Sequence, residues 1–295
     1  MTLFITGAES FIGRALRDRC DATGQNWLGI DRVASAAGRV HKADIRDPAV
    51  ADLIPEGANV VHLAAISRDP DCRADPRTAF DVNVTGTLNL AAAAQKRGAR
   101  QFIFASSEWV YGGVRNNETQ REDQPIDITA MTSEYALSKI VAEQCLKLSF
   151  QLPAMTILRF GIVYGPRPAN WSAVESLFNS VLTKDEVKVG ALNTARRFIH
   201  VDDIVSGILA SCGRTGFEIF NPSFDRLIGL GDVIEASMKI CGRRPKVVET
   251  NPSQVSIRNP DNAKARAALN WAPLIDLAAG LGTLADFMAN TRRNV

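Results

Sequence analysis

The sequence lacks both an excess of charge and a long apolar run. Its 295 residues contain 34 Lys and Arg against 32 Asp and Glu, a formal net charge of +2, with no basic cluster. Such a chain has no field that attracts polyanions. Its longest apolar stretches, such as 60–66, fall far short of the roughly 20 residues that span a bilayer. We therefore expect neither nucleic acid nor membrane among its partners.

Cysteine and histidine are scarce and scattered. The sequence has five cysteines, without a CxxC pair, and three histidines, without ligand-like spacing. We expect free thiols and no bound metal. Hydrophobic residues make up 46% of the chain and charged residues 22%, which excludes a disordered or coiled-coil protein. The N-terminus passes directly into Leu3-Phe4-Ile5 without a charged leader, so we expect a cytoplasmic protein.

Short apolar runs alternate with longer helical patterns in the first part of the chain. The runs are 3–5, 27–30, 60–64, 101–106 and 155–159, and the helical patterns are 11–20, 78–95 and 133–148. This alternation predicts an α/β fold, a doubly wound parallel sheet with helices on both faces. Regularity weakens after Gly165. We expect a smaller C-terminal region at 166–195 and 223–295, with the chain returning to the sheet domain (1–165) near 196–222.

A glycine-containing turn comes directly after the first predicted strand, with the sequence TGAESFIG at 6–13. Gly7 and Gly13 hold the outer positions of a GxxGxxG pattern, in which a backbone approaches a pyrophosphate at a helix N-terminus. Ser10 replaces the middle glycine, so an ordinary tight turn is the alternative. Asp31, 18 residues after Gly13, has the spacing of a carboxylate that accepts ribose hydroxyls and repels a 2′-phosphate. These residues predict NAD rather than NADP, although Arg32 works against that preference and Asp31 could be a solvated loop acid.

A tyrosine and a lysine lie four residues apart in the helical pattern 133–148. Tyr135 and Lys139 share one helix face, where an ammonium favours the phenolate that a proton acceptor requires. The alternative is an amphipathic helix with one aromatic residue. Ser107 ends a predicted strand, and the carboxyl ends of parallel strands carry the sites of such sheets. We therefore expect Ser107 to hydrogen-bond the same substrate oxygen as Tyr135.

Further motifs occur in a characteristic order. They are Ala43-Asp44-Ile45, His62-Leu63-Ala64-Ala65, NVTGT at 83–87, SSEWVYG at 106–112, YALSK at 135–139, Leu158-Arg159 with YGPR at 164–167, RRFIHVDD at 196–203, and Asp261, Lys264 and LNWAP at 269–273. Taken with the glycine turn, this order resembles that of an extended short-chain dehydrogenase/reductase of the NAD-dependent epimerase/dehydratase family, most of which act on nucleotide sugars. The resemblance covers nearly the whole chain. It implies a Rossmann-type NAD-binding domain and a substrate-binding region.

The resemblance also implies roles for single residues. Ser107, Tyr135 and Lys139 match the catalytic triad, in which the lysine also holds the nicotinamide ribose. Arg196 matches the arginine that clamps a nucleotide-sugar diphosphate, a task suited to a guanidinium, although a surface charge is the alternative. The resemblance implies that Asp44 and Ile45 contact the adenine and that Leu63, Ala64 and Ala65 line the pyrophosphate. The other implied cofactor-binding residues are Gly7, Ser10, Phe11, Ile12, Gly13, Asp31, Arg32, Asn83, Tyr135 and Lys139.

Three positions depart from the family pattern. Ser10 replaces a glycine, and Ile162 stands where many epimerases carry a substrate-binding asparagine. Trp109 occupies the position where 4,6-dehydratases place an acid, while Glu108 lies one residue earlier as a candidate catalytic acid. We therefore expect a nucleotide-sugar epimerase, most simply at C4. A dehydratase or a sugar dehydrogenase/reductase is the alternative, and a non-catalytic dinucleotide sensor a more distant one.

Assembly is the last expectation. The helical patterns 78–95 and 133–148 are each long enough to carry an apolar stripe. In the family that the sequence resembles, the equivalent helices often form a four-helix dimer interface. We therefore expect a homodimer. The alternative is that both stripes pack only on their own sheet.

Overall fold

A computed structural model describes residues 1–33, 35, 38–114, 118–168 and 172–293. The strands are β1 Leu3–Thr6, β2 Trp27–Asp31, β3 Val40–Lys42, β4 Asn59–His62, β5 Gln101–Ser107, β6 Ala154–Phe160, β7 Val163–Tyr164, β8 Glu186–Val189, β9 Ala195–Arg196, β10 Ile199–His200, β11 Gly216–Phe220, β12 Ile228–Gly229 and β13 Lys246–Glu249. The α-helices are α1 Phe11–Thr23, α2 Val50–Leu53, α3 Asp69–Ala74, α4 Pro76–Phe80, α5 Thr87–Lys96, α6 Glu134–Ser149, α7 Ala173–Thr183, α8 Val201–Ala210, α9 Leu230–Cys241, α10 Ala263–Leu269 and α11 Leu277–Arg293.

The chain divides into two compact units. The first comprises Met1–Gly112, Glu122–Phe160 and Val205–Phe220, and the second comprises Gly113–Arg121, Gly161–Ile204 and Asn221–Val295. The first unit therefore contains the glycine turn, Asp31 and Tyr135, whereas the second contains Arg196. Among the described residues, none of the helices combines the length and the apolar character needed to cross a membrane.

The first unit is built on a seven-stranded sheet in the order β11-β6-β5-β4-β1-β2-β3, in which every pair is parallel. Its central strands are apolar throughout because helices cover both faces. Leu3, Phe4 and Ile5 have no exposed surface, and neither have Phe102 and Phe104. The sheet confirms the predicted α/β fold of the Rossmann type. The last strand of this sheet in chain order, β11, pairs with β6 at its edge and thus brings the chain back to the sheet.

The helix predicted over 78–95 is present and contains a π-helical segment. After α4, a π-helical stretch covers Asp81–Gly86, and α5 begins only at Thr87. Two side-chain contacts accompany this stretch. Asn83 hydrogen-bonds the backbone of Ile66 through both its oxygen and its nitrogen, and a Cβ on Gly86 would lie 2.9 Å from Ile45 Cδ1. The chain is therefore helical throughout the predicted range. Local pattern did not predict its π-helical segment, a feature that functional sites often have.

The second unit consists of strand pairs and helices. β7 pairs with β10, β8 pairs with β13, and β9 pairs antiparallel with β12. Helix α9 packs against α7 and α11. Asp203 fixes the chain before α11, because its two carboxylate oxygens accept the backbone N–H groups of Leu274 and Ile275 at 2.9 and 3.0 Å. This small α/β unit positions Arg196.

Candidate active site

The turn between β1 and α1 requires both of its glycines. Gly7 has φ +67°, and a Cβ there would lie 2.8 Å from the backbone nitrogen of Ala64. A Cβ on Gly13 would lie 2.2 Å from the Gly7 carbonyl oxygen. Ser10 tolerates a side chain because it is the N-cap of α1, where its hydroxyl accepts the Gly13 N–H at 3.1 Å. Phe11 and Ile12 form the first turn of that helix and are partly buried.

Asp31 lies directly beside this turn. One carboxylate oxygen accepts the backbone N–H of Glu9 at 2.9 Å, and the other accepts that of Val33 at 3.0 Å. A carboxylate has about four acceptor positions, so Asp31 can accept two further hydrogen bonds from a ribose. Arg32 is the next residue and is exposed. The fold therefore brings the predicted carboxylate and the glycine turn together.

The predicted adenine contact is divided between surface and core. Asp44 accepts the Arg46 guanidinium through both oxygens, at 3.0 and 2.7 Å, and Arg46 also reaches Asp81 at 2.8 Å. Hydrogen bonds from Arg46 lower the pKa of Asp44 against the effect of its partial burial. Ile45 is buried in the core. The Asp44 carboxylate thus lies at the surface, whereas the Ile45 side chain packs in the hydrophobic core.

The segment Leu63-Ala64-Ala65 is held against β1 by a buried polar chain. Thr6 Oγ1 accepts the Ala64 N–H at 3.2 Å and lies 2.7 Å from His62 Nδ1, and His62 Nε2 lies 2.9 Å from Thr87 Oγ1. Burial lowers the pKa of His62 to about 3, so the ring is neutral. Because Thr87 donates its own proton to the Asn83 carbonyl at 2.7 Å, His62 must donate from Nε2 and accept from Thr6.

Asn83 is a structural link between two parts of the site. Its Oδ1 accepts the Ile66 N–H at 2.8 Å, and its Nδ2 donates to the Ile66 carbonyl at 2.9 Å and to Ser138 Oγ at 3.0 Å. Ser138 in turn donates to the Tyr135 carbonyl at 2.8 Å. Asn83 therefore joins the chain after β4 to the helix that carries Tyr135, and its amide is engaged with protein groups.

Helix α6 presents Tyr135 to the end of β5. Its N-cap is Ser133, whose hydroxyl accepts the Ala136 N–H at 3.0 Å. Burial raises the pKa of Tyr135 to about 12, while a hydrogen bond with Ser107 lowers it in part. In the protein alone, burial thus outweighs the expected activation, and Tyr135 is a phenol at neutral pH.

Lys139 lies one turn after Tyr135 and is buried. Its ammonium donates to the Ala105 carbonyl at 2.8 Å and lies 5.8 Å from the centre of the Tyr135 ring. Burial lowers the pKa of Lys139 to about 8, although the Glu143 carboxylate favours the protonated form. The lysine is therefore charged at neutral pH and fixed at the carboxyl end of the sheet.

Glu108 and Trp109 begin a 3₁₀ turn immediately after β5. Glu108 is completely buried. The Trp109 ring lies edge-on to the Tyr135 ring, with the two centroids 6.4 Å apart. The side chain beside the tyrosine is therefore aromatic, at the position where a dehydratase would carry an acid.

Sequence reasoning missed a buried ion pair behind these residues. Glu143 lies two turns after Tyr135, and its carboxylate accepts three hydrogen bonds from Arg159 of β6, at 3.1 and 3.2 Å from Nε and 2.7 Å from Nη2. Ser106 also donates to Glu143, and Arg159 donates to the Tyr111 hydroxyl at 2.9 Å. An arginine inside an apolar strand was the signal that could have revealed the pair, since buried charges require partners.

Arg196 belongs to the second unit. Its NH1 donates to the Ala195 and Ser256 carbonyls at 2.7 and 2.6 Å, and its NH2 donates to Ser256 Oγ at 3.0 Å. Arg197 is buried and donates to Asn259 at 2.6 Å. These hydrogen bonds hold the guanidinium of Arg196 in place, and the residue as a whole is partly exposed. Ile162, also partly exposed, accepts the Ile199 N–H through its carbonyl at 3.0 Å.

Comparison with known proteins gives consistent results. A sequence model described as the NAD dependent epimerase/dehydratase family matches residues 3–221. A UDP-glucose 4-epimerase of Mycolicibacterium smegmatis is 30% identical, over 98% of this chain and 99% of its own length. A UDP-glucuronate 4-epimerase of Thermodesulfobacterium geofontis is 27% identical, over 94% and 93%. The solved structure of a Thermus thermophilus UDP-glucose 4-epimerase in complex with NAD is similar with a TM-score of 0.84 and 25% identity, over 98% and 99% of the two chains.

Proposed function

Since the chain belongs to the NAD-dependent epimerase/dehydratase family, we propose that it is an NAD-dependent epimerase that inverts C4 of a nucleotide sugar. Family membership confirms the resemblance that the motifs indicate, and with it an enzyme of this class. The convergence of Ser107, Tyr135 and Lys139 at the end of β5 carries the proposal. Relatives of this chain that are named as 4-epimerases support the choice of reaction.

The first unit has the groups that a dinucleotide requires. Gly7 and Gly13 allow the close turn, Asp31 offers a carboxylate for ribose hydroxyls, and Lys139 offers an ammonium. Ala64 and its neighbours supply the backbone beside the turn. Bound NAD would supply reversible hydride transfer with the sugar and, in its oxidised form, a positive charge. The steric requirement for both glycines fits this assignment, and Ser10 does not conflict with it.

The proposed chemistry of the protein is proton transfer at one oxygen. Tyr135 takes the proton of the reacting hydroxyl and later returns it, and Ser107 hydrogen-bonds the same oxygen. Because burial raises the pKa of Tyr135 to about 12, deprotonation depends on positive charge close to the phenol. Lys139 supplies one such charge at the adjacent turn. Arg196 holds the diphosphate, a dianion that suits a fixed guanidinium.

A direct experiment separates epimerase from its alternatives. Purified protein is incubated with UDP-, GDP-, dTDP- and CDP-sugars, and the products are identified by NMR while NADH absorbance is recorded. An epimerase yields the C4 epimer with no net NADH. A 4-keto-6-deoxy product would instead indicate a dehydratase with Glu108 as its acid, and net NADH would indicate a dehydrogenase. A protein that binds NAD and turns over none of these sugars would contradict the proposal.

We also propose a homodimer formed through α5 and α6. Val84, Leu88 and Ala92 lie on one face of the 81–96 stretch, and they are half-buried or exposed. Val141 and Leu148 continue an apolar stripe on α6, and Leu148 is 82% exposed. A second copy would cover these side chains. Placement in the cytoplasm stays a prediction from the sequence, as does the assignment of substrate binding to the C-terminal region.

A further inference from the structure

We propose that Glu9 is a second determinant of NAD preference, because it holds Arg14 and Arg17 so that neither can bind a 2′-phosphate at Asp31. The inference rests on the proposed use of a dinucleotide by the first unit. It adds to the role expected of Asp31, and it concerns a residue to which neither the spacing nor the motifs assign a task.

Glu9 lies inside the glycine turn, and its backbone and side chain make different contacts. Its backbone N–H donates to Asp31 at 2.9 Å. Its carboxylate accepts Arg14 Nε at 3.1 Å through one oxygen, and Arg17 NH1 and Ser35 Oγ through the other. The Glu9 side chain is only 13% exposed. Glu9 thus binds Asp31 through its backbone and the guanidiniums of Arg14 and Arg17 through its side chain.

The charges near this turn explain why Glu9 matters. Arg14 and Arg17 pair with Glu9, whereas Arg32, which follows Asp31 in the sequence, acts on Asp44. Partial burial opposes ionisation of Glu9, but hydrogen bonds from Ser35, Arg17 and Arg14 lower its pKa below the usual value, so it is a carboxylate at neutral pH. Without that charge, Arg14 and Arg17 would lose the carboxylate with which they pair. Guanidiniums are strong ligands of phosphate, so a released arginine could offset the repulsion between Asp31 and a 2′-phosphate.

The contacts of the two arginines differ in a useful way. Arg14 is 59% exposed at its side chain, so release from Glu9 leaves it free to turn toward a new anion. Arg17 is only 12% exposed and lies 5.6 Å from the centre of the Trp27 ring, a contact that does not involve Glu9. Substitution of Glu9 should therefore leave the Arg14 side chain able to bind another anion. Arg17 should keep its contact with Trp27 and gain less freedom, and α1 should stay in place.

Calorimetric titration of cofactor-free protein with NAD and NADP tests the proposal. Glu9→Gln should lower the ratio of Kd for NADP to Kd for NAD by about tenfold or more, as expected when charge-assisted hydrogen bonds to phosphate become available. Asp18→Asn is the matched control, since it removes one negative charge from an exposed position of the same helix and should leave the ratio unchanged. Arg14→Gln alone should also leave the ratio of the two Kd values unchanged, because Arg14 is already paired with Glu9 and does not bind the cofactor.

A triple variant separates release of the arginines from simple loss of a negative charge. In Glu9→Gln/Arg14→Gln/Arg17→Gln, the ratio should return close to the value of the unmodified protein. An unchanged ratio in Glu9→Gln, with a normal thermal unfolding curve, would overturn the proposal. So would a gain in NADP affinity that persists in the triple variant. Unmodified protein that binds neither dinucleotide would instead overturn the proposed function, which keeps the two failures distinguishable.

Discussion

Tyr135 lies on α6 and faces the end of β5, and its phenol oxygen is the proton acceptor of the proposed reaction. Tyr135→Phe removes one oxygen and should lower turnover about 10²- to 10⁴-fold, the usual contribution of a general base, while NAD affinity is retained. Ser107→Ala should lower turnover less, because a hydrogen bond is lost and the base is kept. Turnover of the identified sugar, with NAD titration in parallel, is the measurement. A Tyr135→Phe variant with more than about a tenth of the activity would point to Glu108 instead.

Lys139 gives a pH dependence with a definite sign. Burial lowers its pKa from 10.5 to about 8, so between these values the unfolded chain binds the proton and the folded chain does not. The free energy of unfolding must then rise with pH across that window. From pH 7.5 to 9.5, we expect the unmodified protein to gain roughly 1–2 kcal/mol relative to Lys139→Met. Urea unfolding of both proteins at the two pH values measures this difference. An equal change in the free energy of unfolding in the two proteins would contradict the prediction.

Arg196 acts on an anion that is present in ground and transition states alike. Loss of such uniform binding raises KM more than it lowers kcat. Arg196→Ala should therefore raise KM for the nucleotide sugar at least severalfold and leave NAD affinity unchanged. Arg226→Ala, an exposed arginine of the same unit, is the control and should change neither. An unchanged KM in Arg196→Ala would leave Arg196 as a surface charge.

At the scale of elements, β5 and α6 are joined by three successive contacts. Lys139 donates to the Ala105 carbonyl, and Ser106 donates to Glu143. Tyr135 hydrogen-bonds Ser107. The helix face that carries the proposed chemistry is thereby placed in register with the strand end. The ion pair of Glu143 and Arg159 supports this register from behind, with both side chains at 3% exposure or less.

Breaking that ion pair on one side should be costly. Glu143→Gln leaves Arg159 buried without its counterion, and such changes cost about 3–5 kcal/mol of unfolding free energy. Glu134→Gln is the matched control on the same helix, where the carboxylate pairs with an exposed Arg73 at 3.3 Å, and it should cost at most about 1 kcal/mol. Urea unfolding measures both variants. A loss for Glu143→Gln no larger than that for Glu134→Gln would show that the pair adds little.

The elements around the site differ in how far the sequence could predict them. Gly7, Asp31, Ser107 and Tyr135 lie at strand ends or on a helix face, so local pattern alone predicts which edge of the sheet they share. The π-helical stretch at Asp81–Gly86 contacts the chain after β4 through Asn83, and local pattern did not predict it. The same holds for partners far apart in sequence, such as Glu143 with Arg159 and His62 with Thr87.

The whole molecule is expected to be a dimer, and the exposed apolar stripe of α6 makes that testable. Val141→Glu/Leu148→Glu places two charges in the proposed interface and should convert the dimer to a monomer, since unpaired buried charge is costly. Leu274→Glu is the control, because Leu274 is 87% exposed in the second unit. Light scattering after size-exclusion chromatography gives the mass of each protein. A monomeric unmodified protein at micromolar concentration would rule the interface out.

The position of β11 also bears on how the protein is made. During translation, β6 leaves the ribosome well before Gly216–Phe220 is synthesised, and at about 5–20 residues per second the interval lasts several seconds. Throughout that time the nascent sheet has an open, apolar edge at β6, which is the kind of edge that pairs with other chains. Premature termination within this interval would release a polypeptide with that edge permanently uncovered. The last-made strand of the first unit thus protects it from aggregation.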